Sequence, residues 1–76
     1  MGLGEAGVTG LVKRSFALAG HRTSVALEIE FWDVLAACAA AEGVSLARLV
    51  ASIDVARGSQ VNLASALRIF ALQSRR

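Results

Sequence analysis

His21-Arg22-Thr23-Ser24-Val25-Ala26-Leu27-Glu28 is the most strand-like run in an otherwise helix-rich sequence. Thr23, Val25 and Leu27 fall on one face, and Arg22, Ser24, Ala26 and Glu28 on the other. This is period-two alternation with two β-branched residues on the apolar side. A lone strand has nowhere to send its backbone N–H and C=O groups, so this one needs a partner strand. If the partner is the same strand of a second chain, the outward row becomes a two-stranded ribbon of Arg, Ser and Ala, a size that fits the DNA major groove.

Two placements are open for the residues before it. Residues 11–19 are weakly extended, with Phe16 and Leu18 on one face and Gly20 as a break. They can pair with 22–28 as an intrachain hairpin, or lie as an arm along DNA or along a second chain. The connection lacks the Asn-Gly or Asp-Gly signal of a tight hairpin, which favours the arm. Four of the seven glycines fall in residues 1–10, so residues 1–12 read as a flexible N-terminal arm and 13–76 as the folded domain. Gly2-x-Gly4-x-x-Gly7 has the spacing of a dinucleotide-binding loop, but no strand precedes it.

After the strand the period changes. Phe31, Val34, Leu35, Cys38 and Ala39 keep helical spacing, alanines raise propensity through 36–41, and Gly43 is a good stop. Glu28 and Glu30 suit the positive N-terminal end of this helix, placed at about 30–42. Ser45 is a suitable N-cap for a second helix, at about 45–57, with Leu46, Leu49, Val50 and Ile53 as its stripe. Asn62 can cap a third, at about 62–73, with Leu63, Ala66, Leu67, Phe70 and Ile69 facing inward. No internal repeat or low-complexity tract is apparent.

The chain of 76 residues is 55% hydrophobic, with a mean hydropathy of +0.58 and a single cysteine, Cys38. So small a domain buries only about 60% of the surface its unfolded chain exposes, and one cysteine forms no internal disulfide. That combination predicts a homodimer. Net charge is +2. The basic residues Lys13, Arg14 and Arg22 precede an acidic middle of Glu28, Glu30, Asp33, Glu42 and Asp54, and Arg57, Arg68, Arg75 and Arg76 follow it. A basic stripe of this kind serves nucleic-acid binding or is ordinary solvated surface. No signal peptide or membrane-spanning run is visible, and Ala6 stands where a myristoylation site wants Ser or Thr. The expectation is a cytoplasmic protein without membrane contact.

Strand, helix, Gly-turn, helix resembles the ribbon-helix-helix family of bacterial DNA-binding proteins, typified by the Arc and methionine repressors. The likeness is closest in His21-Arg22-Thr23-Ser24-Val25-x-Leu27-Glu28, Phe31-Trp32 and Asn62-Leu63-x-Ser65-Ala66-Leu67-Arg68, a pattern similar to a small subfamily within it. The resemblance implies a mainly α fold in which one short strand, about 22–28, pairs antiparallel across a dimer. It also implies that this ribbon enters the major groove. Two departures are Ile29, where many members carry proline, and Ala26, where stronger base readers carry a long polar side chain.

On that reading Arg22 and Ser24 are base readers, Ala26 meets a thymine methyl, and Lys13, Arg14 and the helix N-terminus at Ser45 hold phosphates. Against it, Arg22 can pair with an acid on a neighbouring strand, and Ser45 needs no role beyond capping. Thr23, Val25, Leu27, Phe31, Leu35, Cys38, Leu49 and Ile53 form the core and dimer interface. One histidine and one cysteine make neither a zinc site nor a nucleophile–base pair, and no cofactor, metal or catalytic residue is expected. The leading function is a dimeric regulator binding double-stranded DNA. The alternative is a dimeric protein-interaction module, antitoxin-like, using the N-terminal arm or third helix to hold another protein.

Overall fold

A computed structural model describes residues 10–74. Strands β1 (Leu11–Leu18) and β2 (His21–Glu28) form one antiparallel two-stranded sheet, and helices α1 (Ile29–Glu42), α2 (Leu46–Ala56) and α3 (Leu63–Ser74) follow. The fold class is the one expected: a ribbon, two helices separated by a Gly-turn, and a C-terminal helix. One feature differs. Within the chain β2 pairs with β1, so residues 11–18 are a strand and not an arm. Strand β1 takes in Leu11 and Val12 of the expected arm, and residues 1–9 of that arm lie outside the described residues.

The hairpin closes through a loop of two residues, Ala19 and Gly20, both at positive φ (51° and 83°). Positive φ at both central positions is the signature of a type I′ turn, whose twist matches that of the flanking strands. Gly20 adopts it without strain. Ala19 pays about 1–2 kcal/mol for its Cβ, a cost the paired strands overcome. Asparagine tolerates this conformation far better, so Ala19→Asn should stabilise the protein by about 1 kcal/mol. In a domain of this size that raises the melting temperature by about 4–8 °C. An unchanged melting temperature would mean that the loop does not hold this geometry.

Pairing runs from Leu11 opposite Glu28 to Leu18 opposite His21. Because successive side chains alternate between faces, the inner rows are Val12, Arg14, Phe16 and Leu18 on β1 and His21, Thr23, Val25 and Leu27 on β2. Phe16, Leu18, Val25 and Leu27 are buried. The helices cover this face. Trp32, 1% exposed, locks the two layers: its Nε1 donates to the Val12 carbonyl at 2.7 Å, and its ring lies 5.8 Å from that of Phe16.

The helix ends follow the sequence closely. Gly43, at φ 72°, ends α1 in a Schellman motif: its N–H bonds to the Ala40 carbonyl, and the Val44 N–H to that of Ala39. The Ser45 Oγ accepts the Arg48 N–H at 3.0 Å and caps α2. The Asn62 Oδ1 does the same for α3, from the Ser65 N–H at 2.8 Å. Arg57 braces the link between them, donating to Asp54 Oδ1 and to the Val61 carbonyl.

Two core expectations need correction. On α1 the buried residues are Trp32, Leu35 and Ala39, while Phe31, Val34 and Cys38 are half-buried beside them. The stripe is rotated by about one residue because Trp32, the largest side chain, takes the position against the hairpin. On α3, Ile69 is 49% exposed, and Ala71 is buried in its stead with Leu63 and Leu67. A small side chain lets α3 approach the rest of the core. Leu35, Leu49, Val50 and Ile53 are buried as expected.

Candidate nucleic-acid interface

The register gives the ribbon an outer face. Across it, Leu11 stands opposite Glu28, Lys13 opposite Ala26, Ser15 opposite Ser24 and Ala17 opposite Arg22. Lys13, Ser15, Ala17, Arg22 and Ser24 are exposed, and Ala26 is half-buried. The two serine hydroxyls hydrogen-bond across the strands at 3.0 Å. Lys13 and Arg22 therefore lie on a diagonal with the serine pair at its midpoint. Four residues of strand rise and one strand spacing put their Cα atoms about 14 Å apart. This is close to the width of the B-DNA major groove, about 12 Å.

Of the residues expected at a DNA surface, Lys13, Arg22, Ser24 and Ala26 share this face. Arg14 does not. Neighbouring residues of a strand point to opposite sides, so Arg14 stands on the inner row opposite Val25, its guanidinium 5.5 Å from the centre of the Trp32 ring. It shields the indole with its aliphatic stem and stacks its charge on the ring. Ser45 belongs to a separate element, where its side chain serves the α2 cap and the backbone donors of that first turn remain. Ser15 and Ala17 escaped the sequence reading. The signal was present, because Lys13-Arg14-Ser15-Phe16-Ala17-Leu18 and Arg22-Thr23-Ser24-Val25-Ala26-Leu27 carry the same pattern of basic, Ser, Ala and Leu. This short repeat corrects the expectation that none exists.

The one acid at the ribbon's end is tied down. Glu28 accepts from Arg68 Nε at 3.2 Å, and Arg68 also lies 5.8 Å from the centre of the Phe31 ring. A hydrogen bond from its own backbone N–H, then the Arg68 guanidinium, hold the Glu28 carboxyl below its ordinary pKa; partial desolvation works the other way. The folded state thus takes up this proton at lower pH than the unfolded chain. The stability Glu28 contributes is fully present above the ordinary carboxylate pKa and is lost as pH falls through the depressed value. Arg68→Met should flatten this acid limb of the stability profile, with a small loss near neutrality because the pair is half-exposed. Denaturation midpoints between pH 3 and 7 test it; an unaltered acid limb would remove Arg68 as a cause.

No single helix among the described residues is long and apolar enough to cross a membrane. The chain matches the ribbon-helix-helix domain over residues 11–74 and belongs to that family. Proteins of this family are generally DNA-binding transcription regulators or antitoxins, typically dimeric and typically non-enzymatic. No curated protein and no solved structure matches the chain.

Proposed function

We propose that this protein is a transcriptional regulator that binds double-stranded DNA by laying the outer face of its ribbon in the major groove. The observation that carries this reading is the make-up of that face. Small side chains at Ser15, Ala17, Ser24 and Ala26 let the backbone approach the base edges. Lys13 and Arg22 supply positive charge at opposite ends of the diagonal, with no acid between them. Arg22 is suited to guanine O6 and N7, Ser24 to several base edges and Ala26 to a thymine methyl, while Lys13 meets phosphate. The first turn of α2, at Ser45, supplies a further phosphate contact through its free backbone N–H groups.

In this reading the protein is a homodimer acting in the cytoplasm. Thr23, Phe31 and Cys38, half-buried in one protomer, are the expected interface residues with room for a partner, whereas Val25, Leu27, Leu35, Leu49 and Ile53 are already enclosed. The deciding measurement is affinity for random and selected duplexes across a salt series. Binding should be detectable near 50 mM salt and weaken as salt is added, with a log–log slope of about one for each phosphate neutralised. Absence of binding even at that salt would end the DNA reading.

A protein-interaction module is the second reading, and the helices favour it. A groove of 390 Å³ between α2 and α3 is lined by Ile53, Ala56, Val61, Ala66, Ile69 and Phe70. Nearby stretches of the same helices leave Val55 (85%) and Leu72 exposed. Failure to bind DNA would make this surface the first to test against protein partners.

A further inference from the structure

We infer that Arg68 is a positioning residue of the DNA-binding face: it holds the Glu28 carboxylate, so that Lys13 stays available for phosphate. This inference rests on the DNA reading above and specifies what governs the charge of that face. It concerns the outer row of the strands, whatever lies beside them at the sheet edges. Three observations support it. Glu28 ends the outer row that carries Arg22, Ser24 and Ala26, and it is the only acid in either strand. Lys13 stands opposite Ala26, which makes Glu28, two residues on, its diagonal neighbour on the same face. Such neighbours lie about 7–8 Å apart, within reach of a long side chain, and opposite charges there attract. The ion pair nevertheless forms elsewhere. Arg68 crosses from α3 and donates its Nε–H to Glu28 Oε1 at 3.2 Å, while Lys13 makes no salt bridge among the described residues.

The guanidinium is held in place for this task. Its centre lies 5.8 Å from that of the Phe31 ring, a cation–π contact. Helix α3, which carries it, is anchored by the buried Leu63, Leu67 and Ala71. A planar guanidinium so placed loses less freedom on pairing than an ammonium on a flexible stem. Glu28 therefore pairs with Arg68, and Lys13 stays exposed on the outer face. Without Arg68 the carboxylate would act twice: it would repel nearby phosphates, and it would draw Lys13 along the diagonal. Both effects weaken binding to any duplex, whatever its sequence. The charge of the DNA face is thus tied to the docking of α3.

A double-mutant cycle in the full chain tests this. Arg68→Met keeps a long side chain over Phe31 and removes the charge; Arg68→Gln takes its place if that variant fails to fold. At about 50 mM salt the loss should weaken binding to a random duplex by about two- to tenfold, the effect of one charge left unpaired at about 8 Å. The salt slope should fall by about one for each Lys13 diverted from phosphate. With Glu28→Gln in the same chain no carboxylate is left to hold. The double variant should then bind within about twofold of Glu28→Gln alone. Affinities are compared under conditions where urea midpoints show every variant folded. A lower midpoint with wild-type affinity and slope would reduce Arg68 to a stabilising contact and overturn the inference. The same loss of binding with and without Glu28 would overturn it too, since Arg68 would then touch DNA itself. Both results leave DNA binding standing. If wild type fails to bind the random duplex at that salt, the DNA reading itself falls, and the inference with it.

Discussion

Trp32→Ala should cost about 3–5 kcal/mol, the range for truncating a buried aromatic side chain. A domain of this length has a total stability of about 4–11 kcal/mol at typical values per residue, so the loss removes about a quarter or more of it. The reason lies in what the indole joins. It is buried in α1, packs against Phe16 of β1, donates to the Val12 carbonyl, and carries Arg14 over its ring. No other side chain makes a hydrogen bond from a helix to the strand β1 among the described residues. Trp32→Phe separates packing from hydrogen bonding: it keeps an aromatic ring beside Phe16 and loses the donor, at about 1–3 kcal/mol. Urea midpoints by circular dichroism supply the measurement, since the mutations remove the only tryptophan. A change within error for Trp32→Ala would mean that β1 is not docked on α1, and the hairpin would have to be placed elsewhere.

The helices were legible because their ends are written in short-range chemistry. Gly43, Ser45 and Asn62 each act through a neighbour at most five residues away, so no tertiary context is needed to read them. The phase of α1 was not legible. Ala36, Ala37, Ala39, Ala40 and Ala41 fit either side of a helix, so apolar spacing alone does not fix which side turns inward. Long-range packing of Trp32 on Phe16 decides it. The hairpin was hidden for two reasons. Its turn uses Ala19 in a conformation where asparagine or glycine is the usual signal. Its first strand also puts a charged residue, Arg14, on the apolar row, which breaks the expected alternation until the ring beneath it is seen. Of the candidate DNA surface, the β2 half was readable from alternation. The β1 half became readable once the register set Ser15 against Ser24.

That register makes the last expected result a sharp one. Arg22→Ala should weaken binding to a preferred site by about 1–3 kcal/mol and flatten preference between sites. Lys13→Ala should weaken all sequences alike and lower the salt slope by about one for each phosphate that is no longer neutralised. In a dimer that engages DNA with both ribbons, each mutation is present twice and each effect can double. Neither should alter stability, since both side chains are exposed on the outer face. Arg14→Ala should behave in the opposite way: it uncovers the Trp32 ring and lowers stability, while the salt slope stays where it was. The contrast between Lys13 and Arg14 matters because a slip of one residue in strand register turns every side chain to the other face. If Arg14→Ala lowers the salt slope and Lys13→Ala does not, the ribbon presents its other face to DNA, and the arrangement of β1 against β2 is wrong. If all three variants bind with the wild-type salt dependence, the ribbon is not the surface that touches DNA.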